Sequence, residues 1–193
     1  TYSIGILKST DGGLSWDTTG IQYDVINDNM VNKVIIHPNH TDSIFAVTDE
    51  HIMISSDGGN SWSKAVRPNG NILIGRFRDI EFKPNNPNIL YAVKHTSGGS
   101  EFFKSDDRGI TWYSSNNGVS ATNRNRPLIA VTPANPDVVY LLLCKNDYSF
   151  HGIYKSIDSG DSWVLQSDSP NILGRSTDGT STGGQSWYDL SLG

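Results

Sequence analysis

Residues 55–62 read SSDGGNSW, and three near copies stand elsewhere in the chain: STDGGLSW at 9–16, SDDRGITW at 105–112 and SIDSGDSW at 156–163. The shared pattern is Ser-x-Asp-x-Gly-x-Ser/Thr-Trp, and successive copies start 46, 50 and 51 residues apart. A near-constant period of this length marks a repeat architecture, in which each copy is one supersecondary unit that needs its neighbours. The flanks repeat as well. Each octet follows a short β-branched or aromatic run, GILK (5–8), HIMI (51–54), EFFK (101–104) or GIYK (152–155). Further upstream, HPNHTDSIFAV (37–47), KPNNPNILYAV (83–93) and TPANPDVVYLL (132–142) place a proline seven residues before an aromatic, with turn-forming Asn, Asp and Pro between. Before each proline lies one more extended run: KVIIH, DIEFK, LIAVT.

One unit therefore reads strand, Pro/Asn turn, strand, variable loop, strand, octet turn, strand, with no helical periodicity. Four short strands in about 50 residues is the blade of a β-propeller, so the predicted fold is all-β. The octet is the hairpin between the third and fourth strands. Asp11, Asp57, Asp107 and Asp158 accept backbone N–H groups across it. Gly13, Gly59, Gly109 and Gly160 supply a positive φ. Trp16, Trp62, Trp112 and Trp163 give each blade a large apolar anchor, and the Ser or Thr donates to nearby carbonyls. Such regularity reads as turn construction. The octets lack the spaced carboxylates and distal Glu of a calcium loop, and no metal site is expected.

The chain has 193 residues and a net charge of −5, which argues against a partner held by phosphate neutralisation. No stretch reaches the roughly 18 apolar residues of a membrane span. The single cysteine, Cys144, reads as a small buried hydrophobe. The five histidines show no ligand spacing, and no Gly-rich phosphate loop joins a strand to a helix, so no cofactor is expected.

The repeat resembles the Asp-box, or BNR repeat, of sialidases, sortilin-type receptors, xyloglucan-cleaving glycosidases and a photosystem assembly factor. The resemblance covers nearly the whole chain and implies a propeller of four-stranded blades, not one activity. On this pattern residues 1–20 form a half-blade. Residues 33–66, 79–115 and 128–166 form full blades, 167–186 an inserted loop, and 187–193 the first strand of a next blade. The expectation is a fragment of a larger propeller whose remaining blades lie elsewhere in the same chain. A closed four-bladed ring is the alternative. The segment STGGQSWYDLSLG (181–193) is also similar to segments of large secreted multi-propeller proteins of the Bacteroidota, many of them exported by type IX secretion, which implies that machinery as a partner. Asp17-Thr18-Thr19 and Asp42-Ser43-Ile44 are similar to the Asp-Ser/Thr-apolar sites that those bacteria O-glycosylate, so Thr18 and Ser43 are candidate modification sites.

Propeller geometry puts the octet hairpins and Pro/Asn turns on one face and the blade-to-blade loops on the other. The resemblance implies that chemistry belongs to the second face. Its loops collect Arg76, Arg78, Arg124 and Arg126, suited to bidentate carboxylate recognition, together with Tyr148 and His151 in NDYSFHG (146–152). Trp187 and Tyr188 are further aromatics on these loops. The Arg-Ile-Pro motif of sialidases is absent. A glycosidase needs two carboxylates across a cleft, and Asp49 and Asp79 are the candidates. The reading that follows is a secreted or cell-surface propeller acting as a non-catalytic binding or scaffold domain, with a protein or carbohydrate ligand on the loop face. The alternatives are a glycoside hydrolase acting on polysaccharide, with catalytic carboxylates partly outside this stretch, and a sortilin-like peptide receptor.

Overall fold

A computed structural model of the chain describes residues 4–24, 26, 29–96, 99–120, 125–188 and 190–192. Fourteen strands are formed among them. β1 (Gly5–Lys8) and β2 (Asp17–Gln22) make a two-stranded half-blade. The first full blade is β3 (Val31–Ile36), β4 (Ile44–Thr48), β5 (Ile52–Ser55) and β6 (Ser63–Lys64). The second is β7 (Arg76–Phe82), β8 (Leu90–Thr96), β9 (Gly99–Ser105) and β10 (Tyr113–Ser114). The third is β11 (Pro127–Val131), β12 (Val139–Cys144), β13 (Phe150–Ser156) and β14 (Val164–Ser167). Each sheet is an antiparallel meander in sequence order. The chain is a run of propeller blades, and β3, β7 and β11 are the inner strands that touch from blade to blade.

The blades stack through two apolar layers, and strand alternation sorts side chains between them. Leu90 and Ala92 of β8 and Phe103 of β9 join Phe45, Val47, Ile52 and Trp112 between the first and second blades. Their neighbours Tyr91, Val93 and Phe102 face the other way and join Ile129, Leu141, Tyr154 and Trp163. Phe102 and Trp163 meet edge to face with ring centroids 4.7 Å apart. A middle strand covered on both sides needs apolar residues at every position, which is why LYAV and EFFK show no polar alternation.

The octets repeat one hydrogen-bond pattern. In the first full blade Ser55 Oγ donates to Asp57 Oδ1 (2.8 Å) and accepts from Gly59 N–H (2.8 Å). Ser61 donates its N–H to Asp57 Oδ1 (2.9 Å) and its hydroxyl to Oδ2 (2.6 Å). The seventh-position hydroxyl thus serves the carboxylate, not a carbonyl as expected. A hydroxyl next to an ionised acceptor makes the stronger, charge-assisted bond. The octet glycine does more than permit a positive φ. A Cβ on Gly109 would stand 2.6 Å from the Phe45 ring, and one on Gly160 2.8 Å from Phe102. Its bareness lets the preceding blade's aromatic in.

Two expectations change. Trp16 is 59% exposed, whereas Trp112 and Trp163 are 0% and 3% exposed. The octet tryptophan packs against the preceding blade, and none stands before β1–β2 here. The strand expected over 187–193 is not formed among the described residues. Residues 186–188 turn, and 190–192 are not in a strand.

Candidate functional site

At the face away from the octets, the inner strands begin and the second strands end. Asn32 near the start of β3 and Arg78 near the start of β7 occupy equivalent positions on neighbouring blades, so their side chains meet. Arg78 Nη1 donates to Asn32 Oδ1 (3.1 Å) and to Asp49 Oδ1 (3.4 Å) in the β4–β5 turn. Asn32 Nδ2 donates to Asp49 Oδ1 (2.9 Å) and to the Phe77 carbonyl (2.7 Å). Arg76 Nε stands 4.0 Å from Asp49 Oδ2, with its side chain open to solvent. From the third blade, Arg126 Nη1 donates to the Ser186 carbonyl (2.8 Å) and to that of Trp187, pinning the inserted loop over the blade mouth.

Together with Met30, His95, Asn125 and the rings of Trp187 and Tyr188, Arg78, Asn32 and Arg126 line a cavity of about 470 Å³. Burial lowers the Arg78 pKa from its ordinary value; Asp49 opposes this, and Arg76 and Arg126 add to it. No acceptor among the described residues takes Nε or Nη2 of Arg78. Burial, with Arg78 and Arg76 near, also lowers His95, whose Nδ1 is buried without a partner. A neutral imidazole beside two guanidinium groups, in a cavity also lined by two aromatic residues, suits an acceptor-rich, negatively charged group on a partly apolar body.

Asp79 stands elsewhere. It is 5% exposed, on the inner strand of the second blade. Its Oδ1 accepts from Lys33 Nζ (2.7 Å) and from its neighbour Ile80 N–H (2.9 Å), and its Oδ2 accepts from Ile129 N–H (2.9 Å). One carboxylate thereby fastens three blades, and both oxygens are engaged. Asp49 likewise spends its carboxylate on Asn32 and the arginines. Both carboxylates are thus hydrogen-bonded to neighbouring side chains or backbone, Asp49 in the β4–β5 turn and Asp79 on the buried inner strand.

Of the other sequence candidates, Arg124 lies outside the described residues. Tyr148 meets Trp187 edge to face at 5.6 Å and helps line an adjoining cavity of about 260 Å³ with Arg175 and Gln185. His151 sits on β13 with its ring 6.2 Å from that of Tyr154 and lines neither cavity. Thr18 is exposed on β2, and Ser43 is half-buried in the β3–β4 turn. Sequence reasoning missed Asn32, His95 and Asn125. The one signal was the polar pair Asn32-Lys33 inside an inner strand that is otherwise apolar. Among the described residues no three His, Cys, Asp or Glu side chains are placed to hold a metal ion. Burial raises the pKa of the Cys144 thiol, which fits a packing role.

No curated protein matches the sequence. Among solved structures, an ancestral enzyme of glycoside hydrolase family 74 superposes with a TM-score of 0.66 at 26% identity, over 83% of this chain and 21% of that one. The family 74 xyloglucanase of Xanthomonas campestris gives 0.63 at 15% identity, over 84% of this chain and 27% of its own. A Hadza microbial sialidase gives 0.52 at 16% identity, over 88% of this chain and 41% of its own. The chain thus spans about a fifth to two fifths of the length of these enzymes, and the last two likenesses are of fold. Residues 50–173, more than half of the sequence, match the family model Sortilin-Vps10, described as "Sortilin, neurotensin receptor 3". With its Asp-box blades and this match, the chain belongs to the Sortilin-Vps10 family.

Proposed function

We propose that this chain is part of a secreted or cell-surface propeller that binds a ligand without transforming it, and that the ligand presents a carboxylate to the loop-face cavity. The observation that carries the reading is that Arg78 and Arg126 line one cavity together with Trp187 and Tyr188. The two candidate acids are meanwhile spent on structure. A family description that names a neurotensin receptor supports a peptide as the first class to test. The test compares a short peptide bearing a free C-terminal carboxylate with its amide, by calorimetric titration of the intact protein. The expected result is at least about a tenfold preference for the carboxylate, lost in Arg78→Lys and Arg126→Lys, which keep the charge but not the two-pronged geometry. Equal affinity for acid and amide overturns the reading.

Likeness to the ancestral family 74 enzyme, at 26% identity, supports a second reading as a polysaccharide hydrolase with further acids on other blades. Release of reducing sugar from xyloglucan by the intact protein, abolished in Asp49→Asn, would replace the binding reading by this one.

A further inference from the structure

On the octet face the blades meet along three seams, and two are crossed by lysine. Between the half-blade and the first blade, Lys8 Nζ donates to the Gly58 carbonyl (2.9 Å). Between the second and third blades, Lys83 Nζ donates to Asp137 Oδ1 and Ser159 Oγ, both at 2.6 Å, and Lys104 Nζ to Asp161 Oδ1 at 2.7 Å. The middle seam differs. Aligning the repeats puts His37 where Lys83 stands and Ile54 where Lys8 and Lys104 stand. Across the seam, Asn88, Arg108 and Ile110 replace Asp137, Ser159 and Asp161. Lys33 crosses this seam further in, to Asp79 (2.7 Å) and Glu81 (2.6 Å), but on the octet face a cavity of about 580 Å³ stands in place of the crossing lysines.

Phe45, Ile54 and Ile110 give the cavity an apolar wall, and His37 lines it while only 3% exposed. His37 Nδ1 accepts the Asn39 N–H (3.2 Å), so in the neutral ring the proton sits on Nε2. Burial lowers the His37 pKa, and the nearby His40 and Arg108 lower it further, which keeps the ring neutral. Its Nε2 is buried with no partner among the described residues. Folded proteins rarely leave such a donor unpaired, because the lost hydration is not repaid. Arg108 supplies a cation at the rim. Its Nε is tied to Asn88 Oδ1 (3.0 Å). Its backbone has φ 62° at the octet position where the other blades place Gly12, Gly58 and Ser159. The Asp42 carboxylate, also on the cavity edge, faces Gly58 and Lys8. Asp42 Oδ1 and Lys8 Nζ lie 3.4 and 3.0 Å from where a Gly58 Cβ would stand.

We propose that the middle seam is a binding site for a small carboxylate with an aromatic or branched apolar body, the body lying on Phe45, Ile54 and Ile110 and the carboxylate taken by Arg108, with His37 Nε2–H joining once the ring turns out of its buried position. The site is separate from the loop-face cavity, and its success or failure leaves the reading of that cavity untouched. The probe is benzoate, titrated into the intact protein and followed through the His37 and Arg108 side-chain NMR signals, with benzyl alcohol as the uncharged control. Saturable shifts at both residues are expected with benzoate, and at least about tenfold weaker binding of benzyl alcohol. Arg108→Ser, the residue of the third blade, should weaken benzoate by a similar factor while keeping the fold. Combining His37→Lys, Ile54→Lys, Asn88→Asp, Arg108→Ser and Ile110→Asp rebuilds the lysine-crossed seam and should abolish binding. The proposal is overturned by no saturation up to about 10 mM benzoate, by equal binding of benzyl alcohol, or by undiminished binding in Arg108→Ser.

Discussion

An aspartate that collects hydrogen bonds in an open turn is held ionised by them. At Asp57 the Ser61 hydroxyl, the Ser61 N–H and the Ser55 hydroxyl lower the pKa to about 2. At Asp158 burial pushes upward, but the Ser162 and Ser156 hydroxyls and the Ser162 N–H outweigh it, and the value again falls to about 2. A folded value below that of the unfolded chain means that the contribution to stability is complete above about pH 4. It drains away as the pH falls toward 2. Asp57→Asn should therefore lower the melting temperature by a few degrees at pH 7, with the difference from wild type vanishing by about pH 2. A pH series of thermal melts reads this. A difference that stays constant with pH would mean that the turn depends on shape and not on charge. The role of these residues was legible because the octet recurs four times. Asp79 was not legible. Nothing near it in the sequence shows that Lys33 and Ile129, 46 and 50 residues away, converge on its carboxylate.

Among the elements, the inner strands carry the blade-to-blade fastening. Asp79→Asn replaces an acceptor by an amide that cannot satisfy both Ile129 N–H and Lys33, and should cost about 1–3 kcal/mol of stability. Chemical denaturation measures this. Unchanged stability with loss of a hydrolytic activity would return Asp79 to the catalytic candidates. At this scale the sequence announced most of the blade: the Pro/Asn turns, the paired middle strands and the octet hairpins all stand where the repeat puts them. It did not announce how short the outer strands are. β6 and β10 hold two residues each, whereas β14 holds four and β2 six. Nor did it show which loop arginines converge. Arg78 and Arg126 meet because the inner strands of successive blades start at one level, and Arg76, two positions away, points to solvent.

For the molecule as a whole, the half-blade shows what an uncovered octet looks like. Trp112 Nε1 donates to Gly109 O (2.7 Å) and Trp163 Nε1 to Ser115 O (3.0 Å). Both rings lie under the preceding blade, while Trp16 stays open. We expect a further blade of the full-length protein to cover Trp16. With fluorine-labelled tryptophan, the Trp16 signal (assigned by Trp16→Phe) should be less exposed to a paramagnetic solvent probe in a longer chain that carries a preceding blade than in residues 1–193. Equal exposure in both would mean that no blade docks there.

The unlike seams also bear on assembly order. Similar repeats in one chain invite the wrong pair to dock, the usual failure of repeat proteins. If the third blade closed onto the first, Asp137 and Asp161 would meet His37 and Ile54, and two acids would lose their lysines. If the second closed onto the half-blade, Lys8 would face Ile110 and the guanidinium of Arg108. Each boundary thus has its own key, and the sequence numbers its blades by charge.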